Sequence, residues 1–291
     1  MYQPKRLPTH HDIEIRGLNY RVNTWGDESC KPLYLLHGWA DVSMAFQFIA
    51  DHMEDDWYLI APDWRGFGDT QWNNGGYWFP DYLADLEAII KHFSPDTSIR
   101  LVGHSMGGNV AWLYAGIRPD RISHVISLDA IGLSDSVPEQ APHHYAKWLD
   151  QINSKVSFVT YPNIDKAIQQ IKQLAPRLDT DRAEFLAGYW TNNSATGDYP
   201  IKHDPAHKRV NPVLYRRAEV LSCWNQITAD VMLLLGRQSW VYGSYTSEGY
   251  QDEIKHNIKR FMENIIEDSG HMLHLEQPGR VAAVIDAFLR R

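Results

Sequence analysis

Apolar residues in this chain gather into short runs that alternate with stretches of helical spacing. The runs are Pro32–Leu36, Trp57–Ala61, Ile99–Val102, His124–Leu128, Val231–Leu235 and Phe261–Ile266. The continuous run Pro32–Leu36, and Trp57–Ala61 with it, marks strands covered on both faces, and the others read as strands too. Between them, Tyr77–Phe93 carries Tyr82, Leu83, Leu86, Ile89 and Ile90 at three-and-four spacing, which predicts an amphipathic helix. Ser43–Met53 predicts a helix with Ser43 as N-cap, and Asn109–Gly116 and Val281–Leu289 predict two more. His11–Trp25 alternates polar and apolar residues around Gly17-Leu18-Asn19, a hairpin pattern.

Strands alternating with helices predict an α/β fold, a mostly parallel sheet with helices on both faces. Right-handed crossovers then place all the strand C-termini along one edge, where ligands bind. His37, Gly38, Asp63, Ser105, Asp129, Ser239 and His271 each follow the end of a predicted strand. From Ser134 to Cys223 the alternation stops. Four helix-like segments, Glu139–Ile152, Ile164–Leu174, Asp181–Tyr189 and Pro212–Trp224, follow one another without strands. This predicts a helical cap over residues 134–223, with residues 1–133 and 224–291 forming the core.

Composition narrows the function classes. A net charge of −8 with no basic run argues against nucleic acid and anionic membrane surfaces as partners. No apolar stretch reaches the roughly 18 residues of a membrane span, and the first ten residues lack a signal-peptide core. Cys30 and Cys223 are far apart, so a disulfide framework or zinc site is not expected and a reducing cytoplasm is. His143, His144, His203 and His207 have no acidic residue at a ligand spacing. They read as exposed polar residues, with no metal and no cofactor implied.

The chemistry centres on Gly103-His104-Ser105-Met106-Gly107. A predicted strand runs into Gly103 and a predicted helix follows Gly108. G-x-S-x-G at such a junction forces the serine into a strained backbone conformation with its hydroxyl exposed. Glycine two residues to either side removes side chains that would collide there. The helix N-terminus directs its N–H groups and positive dipole end at the same point, where an oxyanion would develop.

Together with His37-Gly38-Trp39, Asp63-x-Arg65-Gly66-x-Gly68, Gly270-His271-Met272 and Glu276-Gln277-Pro278, in this order, the motif resembles the α/β-hydrolase family over nearly the whole chain. The resemblance implies an eight-stranded, mostly parallel sheet, a cap between strands six and seven, and a serine–acid–histidine triad in that chain order. It makes Ser105 the nucleophile and His271 the general base. It places the oxyanion hole at the backbone N–H groups of Trp39 and Met106. His37 is expected to brace its loop, His104 to be packed, and Asp63 and Arg65 to form a local ion pair.

One position departs from the family pattern. The acid is expected three residues after the glycine that ends strand seven, and there Gly236 is followed by Arg237-Gln238-Ser239. A serine cannot offset the charge of an imidazolium. Asp129, after strand six, is the first candidate for the acid, as in some members of the family. Glu248, Asp252 and Glu253, in the loop after Trp240, are the alternatives. Trp240 and Trp148 are candidate pocket walls. The expected activity is hydrolysis of a carboxylic ester or thioester of a small, largely apolar molecule. Lactone or carbon–carbon hydrolysis, haloperoxidase chemistry and acyl transfer use the same serine. A ligand-binding protein with weakened catalysis is the reading from another class, and the pattern is silent on oligomeric state.

Overall fold

A computed structural model describes residues 2–247 and 249–291. Its main sheet has eight strands: β1 (Thr9–Ile15), β2 (Leu18–Trp25), β3 (Lys31–Leu36), β4 (Trp57–Pro62), β5 (Ile99–His104), β6 (Ile122–Leu128), β7 (Asp230–Gly236) and β8 (Phe261–Ile266). They lie in the order β1-β2-β4-β3-β5-β6-β7-β8. The β1–β2 and β2–β4 pairs are antiparallel and the others parallel. The hairpin turn is Arg16-Gly17, both at positive φ, one residue earlier than the pattern suggested. Leu18 is buried and already pairs with Ile15, so it belongs to the strand.

Successive strand residues face opposite sides, and the sheet separates two apolar layers accordingly. Leu33, Leu35, Val102, Ile126, Met232 and Leu234 enter one. Tyr34, Leu36, Leu101, Val125, Leu233 and Leu235 enter the other. This is why the central strands β3, β4 and β7 read as largely apolar runs.

Among the described residues, the α-helices longer than four residues are α1 (Phe79–Phe93), α2 (Met106–Ile117), α3 (Ala141–Ile152), α4 (Ile164–Leu174), α5 (Thr180–Trp190), α6 (Arg217–Trp224), α7 (Trp240–Tyr245), α8 (Tyr250–Asn257) and α9 (Pro278–Leu289). The helix expected over Ser43–Met53 is a 3-10 turn, Ser43–Phe46, continued by one α-turn, Gln47–Ala50. Ser43 is not its N-cap. Its N–H and hydroxyl both donate to Asp63 Oδ1, at 2.7 and 2.6 Å, so the side chain is committed elsewhere.

Helices α3 to α6 all lie between β6 and β7 in the chain. The stretch is not strand-free: Thr160–Tyr161 pairs with Tyr199–Pro200 in a two-residue ladder, too short to leave a periodic signal. Asn163 and Asp179 cap α4 and α5 through their side chains. Ile171, Leu186 and Trp190 of those helices join the apolar layer that holds Phe46 and Phe48. Helix α6 lies against α2, with Trp224 edge-on to Trp112 at 5.1 Å. A Cβ on Gly116 would come within 2.0 Å of the Cys223 carbonyl oxygen, so glycine is what lets the two helices approach. No described helix is long and apolar enough to cross a membrane.

Candidate active site

Strand β5 ends at His104, and α2 begins at Met106. Ser105 alone makes the turn between them, at φ 51° and ψ −116°, a region costly for a residue with a side chain. The turn is this tight because its flanks lack side chains. A Cβ on Gly103 would lie 2.2 Å from the Gly107 carbonyl oxygen, and one on Gly107 would lie 2.1 Å from that of Leu36. The Ser105 N–H donates to the Leu128 carbonyl at 3.0 Å, which ties the turn to the end of β6.

His271 follows β8 in a turn that Glu276 secures. Glu276 Oε2 accepts from the Gly270 N–H at 2.6 Å, and Oε1 accepts from the Arg177 N–H at 3.2 Å. The turn sets the imidazole between two partners. Ser105 Oγ–H donates to His271 Nε2 at 3.1 Å, and His271 Nδ1–H donates to Asp129 Oδ2 at 2.6 Å.

Asp129 is buried and, like Ser105, at positive φ (54°). Its Oδ1 accepts from the Gly236 N–H at 3.1 Å. Ser239, at the position where an acid was expected, donates its hydroxyl to Asp129 Oδ2 and caps α7 by accepting from the Val241 N–H at 3.0 Å. The serine therefore supports a carboxylate supplied by the neighbouring strand end. Asp252 is exposed on α8, and Glu253 is engaged with Arg217, Nε to Oε1 at 2.6 Å. Glu248 lies outside the described residues.

The loop after β3 closes the other side. A Cβ on Gly38 would lie 3.2 Å from that of Ser105, so this loop passes directly over the serine. His37 is fully buried and holds the loop. Its Nδ1–H donates to the Gly38 carbonyl at 2.7 Å, and its Nε2 accepts from the Trp64 N–H at 2.8 Å. Burial pushes its pKa down, which keeps the ring neutral in that tautomer. Among the described residues, no hydrogen bond occupies the main-chain N–H of Trp39 or Met106.

The expected Asp63–Arg65 ion pair is not formed. Asp63 takes the N–H and hydroxyl of Ser43 and, at 2.9 Å, the N–H of Asp69. Arg65 donates two hydrogen bonds to Asp85 on α1, from Nε at 2.5 Å and from Nη2 at 2.6 Å. The two side chains leave the loop in different directions, and the buried guanidinium takes the carboxylate that offers two parallel bonds.

His203 and His207 are also not the exposed residues the sequence suggested. His203 is 1% exposed, and His207 is stacked between Phe67 at 3.9 Å and Tyr77 at 3.6 Å. Both anchor the stretch before α6 onto the core. His143 is exposed and His144 half-buried on α3.

The two candidate wall residues part company. Trp240 is 68% exposed with its ring 5.6 Å from that of His271. Trp148 leans on Trp78 at 6.3 Å and shares a cleft with Ile152 and Arg209. A larger, mostly apolar cavity of about 690 Å³ runs beside α2 and is lined by Asn109, Leu113, Ile117, Leu133 and Val213. Ser105, Asp129 and His271 line neither space. The sequence reading missed Asp41 and His274, two buried residues behind His271. The signal available was their spacing, two residues after Trp39 and three after His271.

Residues 31–278 match the model of the alpha/beta hydrolase fold family. The chain is 28% identical over 293 residues to a serine hydrolase-like protein of Danio rerio, covering 95% of this chain and 85% of that one. It is 25% identical to protein phosphatase methylesterase 1 of Candida albicans, covering 94% and 73%. Among solved structures, the thioesterase domain from the curacin biosynthetic pathway superposes with a TM-score of 0.86 at 21% identity, covering 96% and 99%.

Proposed function

The chain belongs to the alpha/beta hydrolase fold family, and on that premise we propose that it is a serine hydrolase cleaving a carboxylic ester or thioester of a small, largely apolar molecule. The observation that carries this reading is the continuous Ser105–His271–Asp129 hydrogen-bond chain, 3.1 Å and then 2.6 Å. The names of the serine hydrolase-like and methylesterase relatives support the same chemistry.

In the proposed reaction Ser105 Oγ attacks the acyl carbon as its proton passes to His271 Nε2. The N–H groups of Met106 and Trp39 receive the oxyanion. Asp129 holds Nδ1–H and offsets the imidazolium charge. His271 then gives its proton to the leaving alcohol or thiol, leaving an acyl-serine. Water, deprotonated by the same Nε2, attacks that ester, and the collapsing intermediate returns the proton to Ser105 as the acid departs. No step needs a metal or cofactor. Residues 134–223 are proposed to act as a cap, and the free cysteines Cys30 and Cys223 suit a reducing cytoplasm.

The deciding experiment is labelling by a fluorophosphonate, followed by intact mass, beside hydrolysis of p-nitrophenyl butyrate. Wild type should gain one adduct and Ser105→Ala none, with hydrolysis lost in parallel. A Ser105→Ala variant that still hydrolyses at the wild-type rate sinks the reading. A folded wild type that neither labels nor hydrolyses points to a ligand-binding protein.

A further inference from the structure

Directly behind His271 lie three buried polar side chains to which the reaction assigns no role: Asp41, His104 and His274. His104 stands between the two loops that flank Ser105. Its Nε2–H donates to the His271 carbonyl at 2.9 Å, and its Nδ1 lies 3.0 Å from where a Gly38 Cβ would be. The His274 ring lies tilted against that of His104, with centroids 4.2 Å apart, and its centroid is 5.5 Å from that of Phe46. His274 Nε2 is 3.7 Å from Asp41 Oδ2, an ion-pair separation rather than a hydrogen bond. Asp41 Oδ1 accepts from the Val42 N–H at 2.9 Å and from Trp190 Nε1–H of α5 at 3.1 Å.

Such a cluster is poor stabilising material. Asp41 Oδ2, His104 Nδ1 and both His274 nitrogens have no hydrogen-bond partner among the described residues. Buried polar atoms in that state cost free energy, and apolar residues of the same shape are commonly as stable or more so. What the cluster offers instead is connection. From Asp41 it reaches the oxyanion loop two residues after Trp39, helix α5 through Trp190, and the His271 turn through His274 and His104. Burial opposes ionisation of Asp41, yet His274, His37 and the Val42 N–H together outweigh it and hold the carboxyl below its usual range.

We propose that Asp41, His274 and His104 are positioning residues that fix His271 and the Gly38–Trp39 loop relative to each other, with Trp190 coupling helix α5 to that alignment. The inference rests on the hydrolase reading above. The same three residues bring potential metal ligand atoms within 4.8 Å of one another. A tetrahedral metal about 2.0–2.1 Å from each nitrogen would hold two imidazole centroids about 5 Å apart, wider than the 4.2 Å between His104 and His274. The close contact of the two rings fits positioning better than coordination.

The test uses His274→Phe, which keeps an aromatic ring against His104 and Phe46 while removing both nitrogens, and Asp41→Asn, which removes the charge. Thermal unfolding, and kcat and KM for p-nitrophenyl butyrate, are measured on both and on the double variant. Small misplacements of catalytic groups cost up to about 100-fold. Each single variant should therefore lose about 10- to 100-fold in kcat with KM within about threefold. The double variant should lose little more than the worse single, because one network is broken twice. His274→Phe should melt at or above the wild-type temperature, an outcome that a merely structural role does not produce. Unchanged kcat in folded variants overturns the proposal, as does failure of both variants to fold. One equivalent of firmly held zinc in wild type that is lost in His274→Phe overturns it in favour of a metal site. Ser105→Ala run alongside separates the two readings. If Ser105→Ala is inactive and Asp41→Asn is fully active, only the positioning role fails.

Discussion

Asp129 collects three donors on two oxygens: the Gly236 N–H on one, and His271 Nδ1–H and the Ser239 hydroxyl on the other. A carboxylate offsets the charge of an imidazolium, which an amide of the same shape cannot do. The carboxylate's charge, not its shape, is what the site depends on. Asp129→Asn should therefore lower the phosphonate labelling rate on the order of 10⁴-fold, by analogy with the loss of a triad acid, while Ser105 stays in place. Ser239→Ala removes one neutral donor and should cost much less, on the order of tenfold, since a single such hydrogen bond is worth about 1 kcal/mol. Comparable losses in the two variants would place the acid elsewhere.

At the scale of the element, the strand–turn–helix unit β5–Ser105–α2 is held by what its glycines omit. Gly107→Ala puts a methyl group 2.1 Å from the Leu36 carbonyl oxygen, against the backbone of the adjacent central strand. Overpacking of this kind costs about 1–3 kcal/mol or more, and here neither partner can rotate away. The urea midpoint should fall accordingly, and an unchanged midpoint would show that the turn is more compliant than described.

The stretch before α6 is anchored by a different device, a buried neutral histidine. Burial lowers the pKa of His203 to about 4. The unfolded chain takes up that proton near pH 6.5 and the folded chain refuses it until about pH 4. The stability contribution is full above about pH 6.5 and is lost as pH falls through this window, at about 1.4 kcal/mol per pH unit. Thermal unfolding followed from pH 7 to pH 4.5 should show a shallower decline for His203→Gln than for wild type. Parallel curves would mean that the folded chain takes up the His203 proton as readily as the unfolded one.

Across the whole molecule, segments remote in sequence converge on single buried carboxylates. Asp85 on α1 meets Arg65 from the loop after β4, the Tyr20 hydroxyl from β2, and Arg16 from the hairpin turn at 3.0 Å. The Arg65 side chain is 5% exposed, so a lost partner is not replaced by bulk water. Asp85→Asn should destabilise by about 3–5 kcal/mol, the cost of leaving a buried charge unpaired, read as a lower urea midpoint at an unchanged slope. A change within 0.5 kcal/mol would mean that Asp81, 3.5 Å from Arg65 on the same helix, takes over the pairing.

The amino-acid sequence by itself determined the features that depend on neighbours a few residues away. The β3 to β8 runs, the amphipathic α1 and the glycine-flanked Ser105 turn all follow from backbone periodicity and local sterics, which are written in consecutive residues. The tertiary structure decided which distant groups meet. Asp129 reaches His271 because β6 and β7 pair in a register that sets Leu128 opposite Leu234 and brings Gly236 and Ser239 beside the Asp129 loop. Asp63 and Arg65 are two residues apart yet choose separate partners, because their side chains leave the loop in different directions. His203 and the Asp41–His274 pair look like ordinary polar residues in the chain and are buried only once α5 and the stretch before α6 close over the core. Partner choice across space is set by strand register and by the packing of helices that are far apart in the chain, and neither leaves a local pattern to read.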